Sequence, residues 1–323
     1  MGVVIHKNIP AGNIQNVVIS GNNIEFEVEM RDSENDWFFW QFQAEFNEPG
    51  EYFFHIRGRN KVGTRTAAIS RDGGMTWEWL GESFRIDDSR FRYCCTQAEK
   101  VIFCTGMEYL QRHFERFCKI YSSHPFLRIS ELCKSPKGRS VELLSIREGN
   151  PEFTLLLTSR HHCCEMMATY ALEGILKTVL ANTPFAEKFR KHIAVLAVPF
   201  VDKDGVEDGD QGKNRLPHDH ARDYVDEPIY PEVAAVKQLV RDQKPAFVLD
   251  MHCPWIFSES NETINIPGSS NPYITGTEDR FSNYLQKYAT PEAPYYKKDN
   301  ILFGTSWNTG AKYTKGKTLK HFI

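Results

Sequence analysis

The chain has 323 residues, enough for two cores of ordinary domain size, and its 41% hydrophobic and 25% charged content is that of a soluble globular protein. Lys plus Arg number 39 against 42 for Asp plus Glu, and the resulting formal net charge of −3 offers no basic surface for a nucleic-acid partner. No apolar run reaches the ~18 residues of a membrane span and no secretory leader is evident, so the eight cysteines, with adjacent pairs at Cys94-Cys95 and Cys163-Cys164, are expected to be reduced thiols of a cytoplasmic protein.

The N-terminal region reads as all-β. Ile24, Phe26, Val28 and Met30 alternate with Glu25, Glu27 and Glu29, the period-two pattern of a half-buried strand. Aromatic-rich runs over 37–46 and 52–57 are separated by Asn47-Glu48-Pro49-Gly50, which reads as a turn. Ser70-Arg71-Asp72-Gly73-Gly74-Met75-Thr76-Trp77 predicts a hairpin with Asp-Gly-Gly at its tip. These elements predict a β-sandwich domain over residues 1–115, and the amphipathic segment 110–121 predicts a helix joining it to a second domain over 116–323.

In that second domain strand and helix patterns alternate. Residues 142–146, 153–158, 192–200 and 247–250 predict strands; 164–180, 232–241 and 280–288 carry apolar residues at three and four spacing and predict helices. The alternation implies an α/β domain, a mixed and largely buried sheet flanked by helices.

Ser159-Arg160-His161-His162-Cys163-Cys164-Glu165 stands where the 153–158 strand gives way to a helix. His162 and Glu165 are three apart, so on a first helical turn both project from one face and can converge on one ion. An imidazole and a carboxylate are ligands that zinc accepts. With 11 His in the chain, about one His-x-x-Glu pair is expected by chance, and Glu165 complementing a helix N-terminus is the alternative reading. Residues 201–206 and 212–224 follow as a long polar loop rich in groups that bind anions and orient ligands, among them Lys213, Arg215, His218, Asp219, His220 and Arg222. Phe247-Val248-Leu249-Asp250 then runs into Met251-His252-Cys253-Pro254, where the proline stops further pairing, so His252 falls at the C-terminal end of a strand, as His162 does. Ligands gather at such ends in open α/β sheets. Two His and one Glu, with water in the fourth position, form a catalytic type of zinc site, on condition that the two strands are neighbours.

This ordered set resembles the zinc carboxypeptidases, most closely their cytosolic branch. The family pattern is His-x-x-Glu after a strand, an Asn-Pro-Asp-Gly-like turn, an arginine, an Asp-x-Asn-Arg segment, and a His after a later strand. His162 and Glu165 match the first pair and His252 the last ligand; Asp202-Lys203-Asp204-Gly205 stands at the turn, and Asp219-His220-Ala221-Arg222 at the Asp-x-Asn-Arg segment. The resemblance implies zinc held by His162, Glu165 and His252, lowering the pKa of its water and polarising the scissile carbonyl. It implies Arg222 on the C-terminal carboxylate of a peptide or protein substrate, Asp219 accepting from the outer nitrogen of His162, and positive charge for the developing oxyanion from Arg215, with Lys213 as its rival. Ala221 replaces an asparagine and removes one donor to the substrate carboxylate. The family's general base, a glutamate on a late strand, has no match: Glu259, Glu262, Glu278 and Glu292 stand in other contexts, and a C-terminal part of the domain is expected to lie beyond Ile323. The hairpin and the strands before it resemble the domain that precedes the catalytic unit in cytosolic carboxypeptidases.

Competing readings use the same residues. His218 or His220 could enter a different metal set. Zinc-dependent N-acyl amino acid amidohydrolases share the His-x-x-Glu and His logic. The 70–77 hairpin resembles the Asp-box of sialidases, and with Trp77 and Trp79 it suggests a carbohydrate-binding or catalytically impaired metal-binding protein; a single copy does not make a propeller. No Gly-x-Ser-x-Gly elbow or Walker A loop occurs, which leaves serine hydrolases and NTPases without support.

Overall fold

A computed structural model of the chain describes residues 2–35, 37–253, 262–314 and 316–323; Pro254 and Glu259 lie outside the described residues. The β-rich N-terminal region contains β1 (Val3–His6), β2 (Gln15–Ser20), β3 (Asn23–Glu27), β4 (Gln41–Phe46), β5 (Gly50–Arg57), β6 (Ala68–Ser70), β7 (Glu78–Trp79), β8 (Arg90–Cys95) and β9 (Glu99–Cys104). Strands β1-β4-β9-β6-β7 form one sheet and β2-β3-β5-β8 a second. Alternation along the strands turns Phe26, Phe42, Phe46, Tyr52, Phe54, Phe91 and Phe103 into one shared core. Ring pairs bridge the two sheets, with centroids 5.6 Å apart for Phe42–Phe54, 4.6 Å for Phe46–Tyr52 and 5.2 Å for Phe54–Phe103. Such pairs contribute about 0.5–1.5 kcal/mol each beyond their buried area. Strands β3 and β5 pair in parallel, because the chain crosses to the other sheet as β4 before it returns.

The 70–77 hairpin forms as predicted between β6 and β7. Its Asp72 carboxylate is used by its own turn, accepting from Met75 N at 3.0 Å, Thr76 N at 2.9 Å and Thr76 Oγ1 at 2.6 Å. Trp77 donates Nε1 to Gly74 O at 3.0 Å and packs against the core of the α/β region, and His113 Nε2 lies 2.7 Å from Gly74 O. The hairpin is therefore a docking element between the two parts of the chain, with Trp77 committed to packing.

His113 belongs to α1 (Gln111–Tyr121), whose Phe114 and Phe117 enter the α/β core. Next come β10 (Leu127–Lys134), β11 (Ser140–Ile146), β12 (Phe153–Ser159), α2 (Met166–Leu180), α3 (Pro184–His192), β13 (Ile193–Val198), α4 (Lys203–Asp208), α5 (Pro231–Gln243), β14 (Phe247–Met251), α6 (Pro272–Tyr288) and the short α7 (Leu319–Phe322). The sheet order is β10-β11-β13-β12-β14, with β12 parallel to both β13 and β14 and the β10–β11 and β11–β13 pairs antiparallel. Leu172, Leu176 and Val179 of α2 share one core with Leu144, Leu157 and Val195 of the sheet, and Val233 and Val236 of α5 share another with Val141 and Val198.

The polar stretch expected as a loop over 201–224 contains α4 and a 3-10 turn at His220–Arg222. Helix α4 forms because Asp202 caps it, accepting from Gly205 N at 3.0 Å, and Gly209 closes it at φ 75°. From β12 the chain first builds β13 on one side and then β14 on the other. The C-terminal end of β12 is thus a topological switch point, the place where an open α/β sheet leaves a crevice.

Candidate metal centre

The backbone leaves β12 through Arg160, whose φ of 63° is a left-handed conformation that a non-glycine residue keeps only when its surroundings enforce it. Its buried guanidinium does so, donating Nε to Cys163 O at 2.7 Å and Nη1 to Tyr109 O at 2.8 Å. The two histidines that follow then diverge, His161 to Asp250 and His162 to Glu165.

Helix α2 begins at Met166 with Glu165 as its cap residue, so His162 and Glu165 stand in the turn before the helix and not on its first turn. They converge nonetheless, with His162 Nδ1 3.0 Å from Glu165 Oε1. The parallel pairing of β12 with β14 sets Ser159 opposite Met251, so His252, the next residue, arrives at the same spot with Nδ1 2.7 Å from Glu165 Oε2. The condition left open by the sequence, that the two strands be neighbours, is met.

Ligand atoms of His162, Glu165 and His252 all lie within 4.8 Å of one another. Ligands held about 2.0–2.1 Å from a tetrahedral zinc ion are roughly 3.3 Å apart, so this donor set fits such an ion in spacing and in chemistry. The cluster also attracts cations: the Lys213 ammonium lies 2.6 Å from Glu165 Oε1. Burial would push the Glu165 carboxyl up, but Lys213, His162 and His252 together hold it well below the usual carboxylate range. Burial would likewise push His252 down, and Asp250 with Glu165 hold it up at about 10.

Asp219 Oδ2 lies 3.6 Å from His162 Nε2 and accepts from Asn214 N at 3.2 Å, which puts it at the outer nitrogen of that histidine. Among the described residues the groups able to close on one ion are His162/Glu165/His252 and His161/Asp250/His252. Neither His218 nor His220 belongs to them. His218 Nε2 pairs with Asp223 Oδ1 at 2.6 Å, and His220 stacks on Tyr230 with centroids 3.7 Å apart.

Arg215, expected at the oxyanion, has a different setting. It is surrounded by Asp32 (3.3 Å), Asp202 (2.9 Å) and Asp210 (3.1 Å); burial would push its pKa down, but Asp202 foremost, with Asp32, raises it. Arg222 is half-buried, with Nε donating to Lys312 O at 3.2 Å, Nη1 to Ala221 O at 3.1 Å, and its guanidinium carbon 5.4 Å above the Tyr313 ring. Its charge is close enough to help keep Asp219 ionised. Of the glutamates weighed as bases, Glu262 bonds Thr64 and Arg65, Glu278 accepts from Ser269 N, and Glu292 is exposed.

Sequence reading missed Asp32, Asp250 and His161. Asp250 carried a usable signal, since residues two apart on a strand face one way and His252 follows it by two. Asp32 carried none: it accepts from Gln211 N at 2.9 Å and Gly212 N at 2.7 Å and so holds the Lys213 segment from across the chain. Gly212 itself, at φ 70°, lies so close to the ligand turn that a Cβ there would stand 2.5 Å from Cys163 N. Gly212→Ala is expected to displace the 162–163 backbone, lowering stability by about 1–3 kcal/mol and weakening metal uptake, as thermal melts and metal titration will show.

A second buried group lies behind the cluster. Glu232 is 1% exposed, its oxygens accept no hydrogen bond, and its nearest basic atom is His220 Nε2 at 3.8 Å. Burial pushes its carboxyl up to about 8, above the ~4.3 of an unfolded glutamate. Between these values the folded chain keeps a proton that the unfolded chain releases, so this group makes stability fall as pH rises toward 8. Glu232→Gln is therefore expected to melt higher than wild type at pH 8, the gap shrinking toward pH 5, with a slope of at most roughly 1.4 kcal/mol per pH unit.

No protein-family model matches the chain. Its sequence is similar to cytosolic carboxypeptidase 6 of Mus musculus, 27% identical over 136 residues that make up 38% of this chain and 25% of that protein. Cytosolic carboxypeptidase 6 of Homo sapiens is 24% identical over 180 residues, 50% of this chain and 36% of that one. In structure it is similar to a metallo-carboxypeptidase from Burkholderia cenocepacia, with a TM-score of 0.76 and 21% identity over 93% of this chain and 84% of that chain. In sequence the chain is similar to cytosolic carboxypeptidases, and in structure it shares the fold of metallo-carboxypeptidases. A Pseudomonas aeruginosa metallo-carboxypeptidase in complex with (2-guanidinoethylmercapto)succinic acid shares the fold at a TM-score of 0.74 and 20% identity, covering 91% and 82% of the two chains. The carboxypeptidase fold thus extends over nearly the whole chain, whereas the chain spans well under two thirds of the length of its cytosolic carboxypeptidase relatives.

Proposed function

We propose that the chain is a zinc-dependent carboxypeptidase that removes residues from the C-termini of peptides or proteins. The observation that carries this reading is the meeting of His162, Glu165 and His252 at the switch point between β12 and β14. These three side chains would hold the ion, which when bound supplies Lewis-acid chemistry to a carbonyl and to a water molecule. Asp219 fixes the orientation of His162 from its outer nitrogen. Lys213 brings positive charge to the mouth of the cluster, and because Arg215 is committed to three carboxylates, Lys213 is assigned the oxyanion. Arg222, with donors left over from its two carbonyl bonds, receives the substrate's terminal carboxylate; Ala221 beside it offers no amide to help. The name of the cytosolic carboxypeptidases supports a cytoplasmic location, and among the described residues no helix is long and apolar enough to cross a membrane.

Among the described residues, none of Glu262, Glu278 and Glu292 stands at the cluster as general base. The test is mass spectrometry of peptides after long incubation with zinc-loaded protein. Loss of the C-terminal residue from a free-acid peptide, with its amidated counterpart intact and chelator abolishing the loss, is the expected result. Cleavage of N-acetyl amino acids with both peptides intact would instead indicate the amidohydrolase class.

A further inference from the structure

Asp250 lies one strand away from the His-x-x-Glu turn and its carboxylate is fully engaged. Oδ2 is 3.0 Å from His252 Nε2, while Oδ1 accepts from Thr158 Oγ1 at 2.8 Å and lies 2.8 Å from His161 Nδ1. The far nitrogen of His161, Nε2, is 2.7 Å from the Tyr224 hydroxyl. His161 and Thr158 are fully buried and Tyr224 is 2% exposed. Strand register produces this cluster: Thr158 of β12 is the direct partner of Asp250 in β14.

Polar contacts run unbroken along the line. The Tyr224 O–H donates to His161 Nε2, which leaves the proton of that ring on Nδ1, the nitrogen in 2.8 Å polar contact with Asp250 Oδ1 beside the Thr158 hydroxyl but out of line for a hydrogen bond. Asp250 Oδ2 is then left to accept from His252 Nε2, and that bond keeps the Nε2 proton in place and turns Nδ1 toward Glu165.

Resting on the zinc-site reading above, we infer that Tyr224, His161 and Asp250 form a buried line of polar contacts that positions His252, fixing Nδ1 as its metal-facing nitrogen. These are positioning residues: none of them touches the ion or the substrate. Loss of such an outer partner typically weakens metal binding by about 10–100-fold. An asparagine at 250 presents an N–H₂ where His252 or His161 needs an acceptor, and so favours the wrong tautomer of one ring.

The test compares wild type, Asp250→Asn and Tyr224→Phe by metal affinity against a competing chelator and by the visible spectrum of the cobalt-substituted protein. Near-ultraviolet circular dichroism reports folding of each. The expected result is one ion per wild-type chain, about 10–100-fold weaker binding with a shifted cobalt band in Asp250→Asn, and a smaller weakening of about threefold in Tyr224→Phe. If Asp250→Asn does not fold, the near-isosteric Tyr224→Phe decides. Affinity and cobalt spectrum unchanged in the folded variants, with the wild type binding its ion, overturn this positioning role and leave the zinc site standing. Two ions per wild-type chain, one of them lost in Asp250→Asn, also overturn it, because His161 and Asp250 would then be ligands. A folded wild type that binds no ion overturns both readings.

Discussion

Glu165→Gln is expected to damage the protein twice. In the metal-free state Glu165 is the buried counter-charge shared by Lys213, His162 and His252, at 2.6, 3.0 and 2.7 Å. Removing one side of a buried ionic cluster leaves the other side uncompensated and costs about 3–5 kcal/mol, so the melting temperature in chelator falls well below that of wild type. Zinc raises the melting temperature of the wild type by mass action, and it is expected not to rescue the variant, which has lost the central ligand. An unchanged melt in chelator would show that the carboxylate holds no charge cluster together.

Arg215→Met is the second large effect, and it separates a structural role from a catalytic one. The guanidinium balances Asp32, Asp202 and Asp210, of which the Asp202 side chain is 1% exposed. Without it three carboxylates face one another in a partly dry site, a loss of about 3–5 kcal/mol. The sign with pH follows from Asp210, whose carboxyl burial and the neighbouring Asp32 already push up to about 7. Protonation relieves the repulsion, so the drop in melting temperature is expected to be larger at pH 8 than at pH 5. Zinc content is expected to stay close to wild type in whatever fraction folds. A variant with the wild-type melt and slowed peptide cleavage would return Arg215 to the oxyanion.

How much of this was legible in the sequence depended on how local the physics was. Period-two alternation found β3, the apolar run 153–158 found β12, and His-x-x-Glu and His252 named three side chains that the fold brings together, because each signal lies within a few residues. Helix α4 was hidden in polar composition: its cap Asp202 and its closing Gly209 were readable only as loop residues. The neighbouring of β12 and β14 was a question of register, which one strand's sequence does not carry. The carboxylate setting of Arg215 was out of reach for the same reason, since its partner Asp32 comes from the N-terminal region and enters the site only through the tertiary fold. Asp250 was read as the last residue of a strand, while its place two residues before His252 already put both side chains on one face.

If His162, Glu165 and His252 hold one metal ion, elemental analysis of purified protein will count it. Wild type is expected to carry about one zinc per chain, and a folded His162→Ala/Glu165→Gln double variant essentially none. A folded wild type without zinc, or a double variant that keeps it, would contradict the assignment.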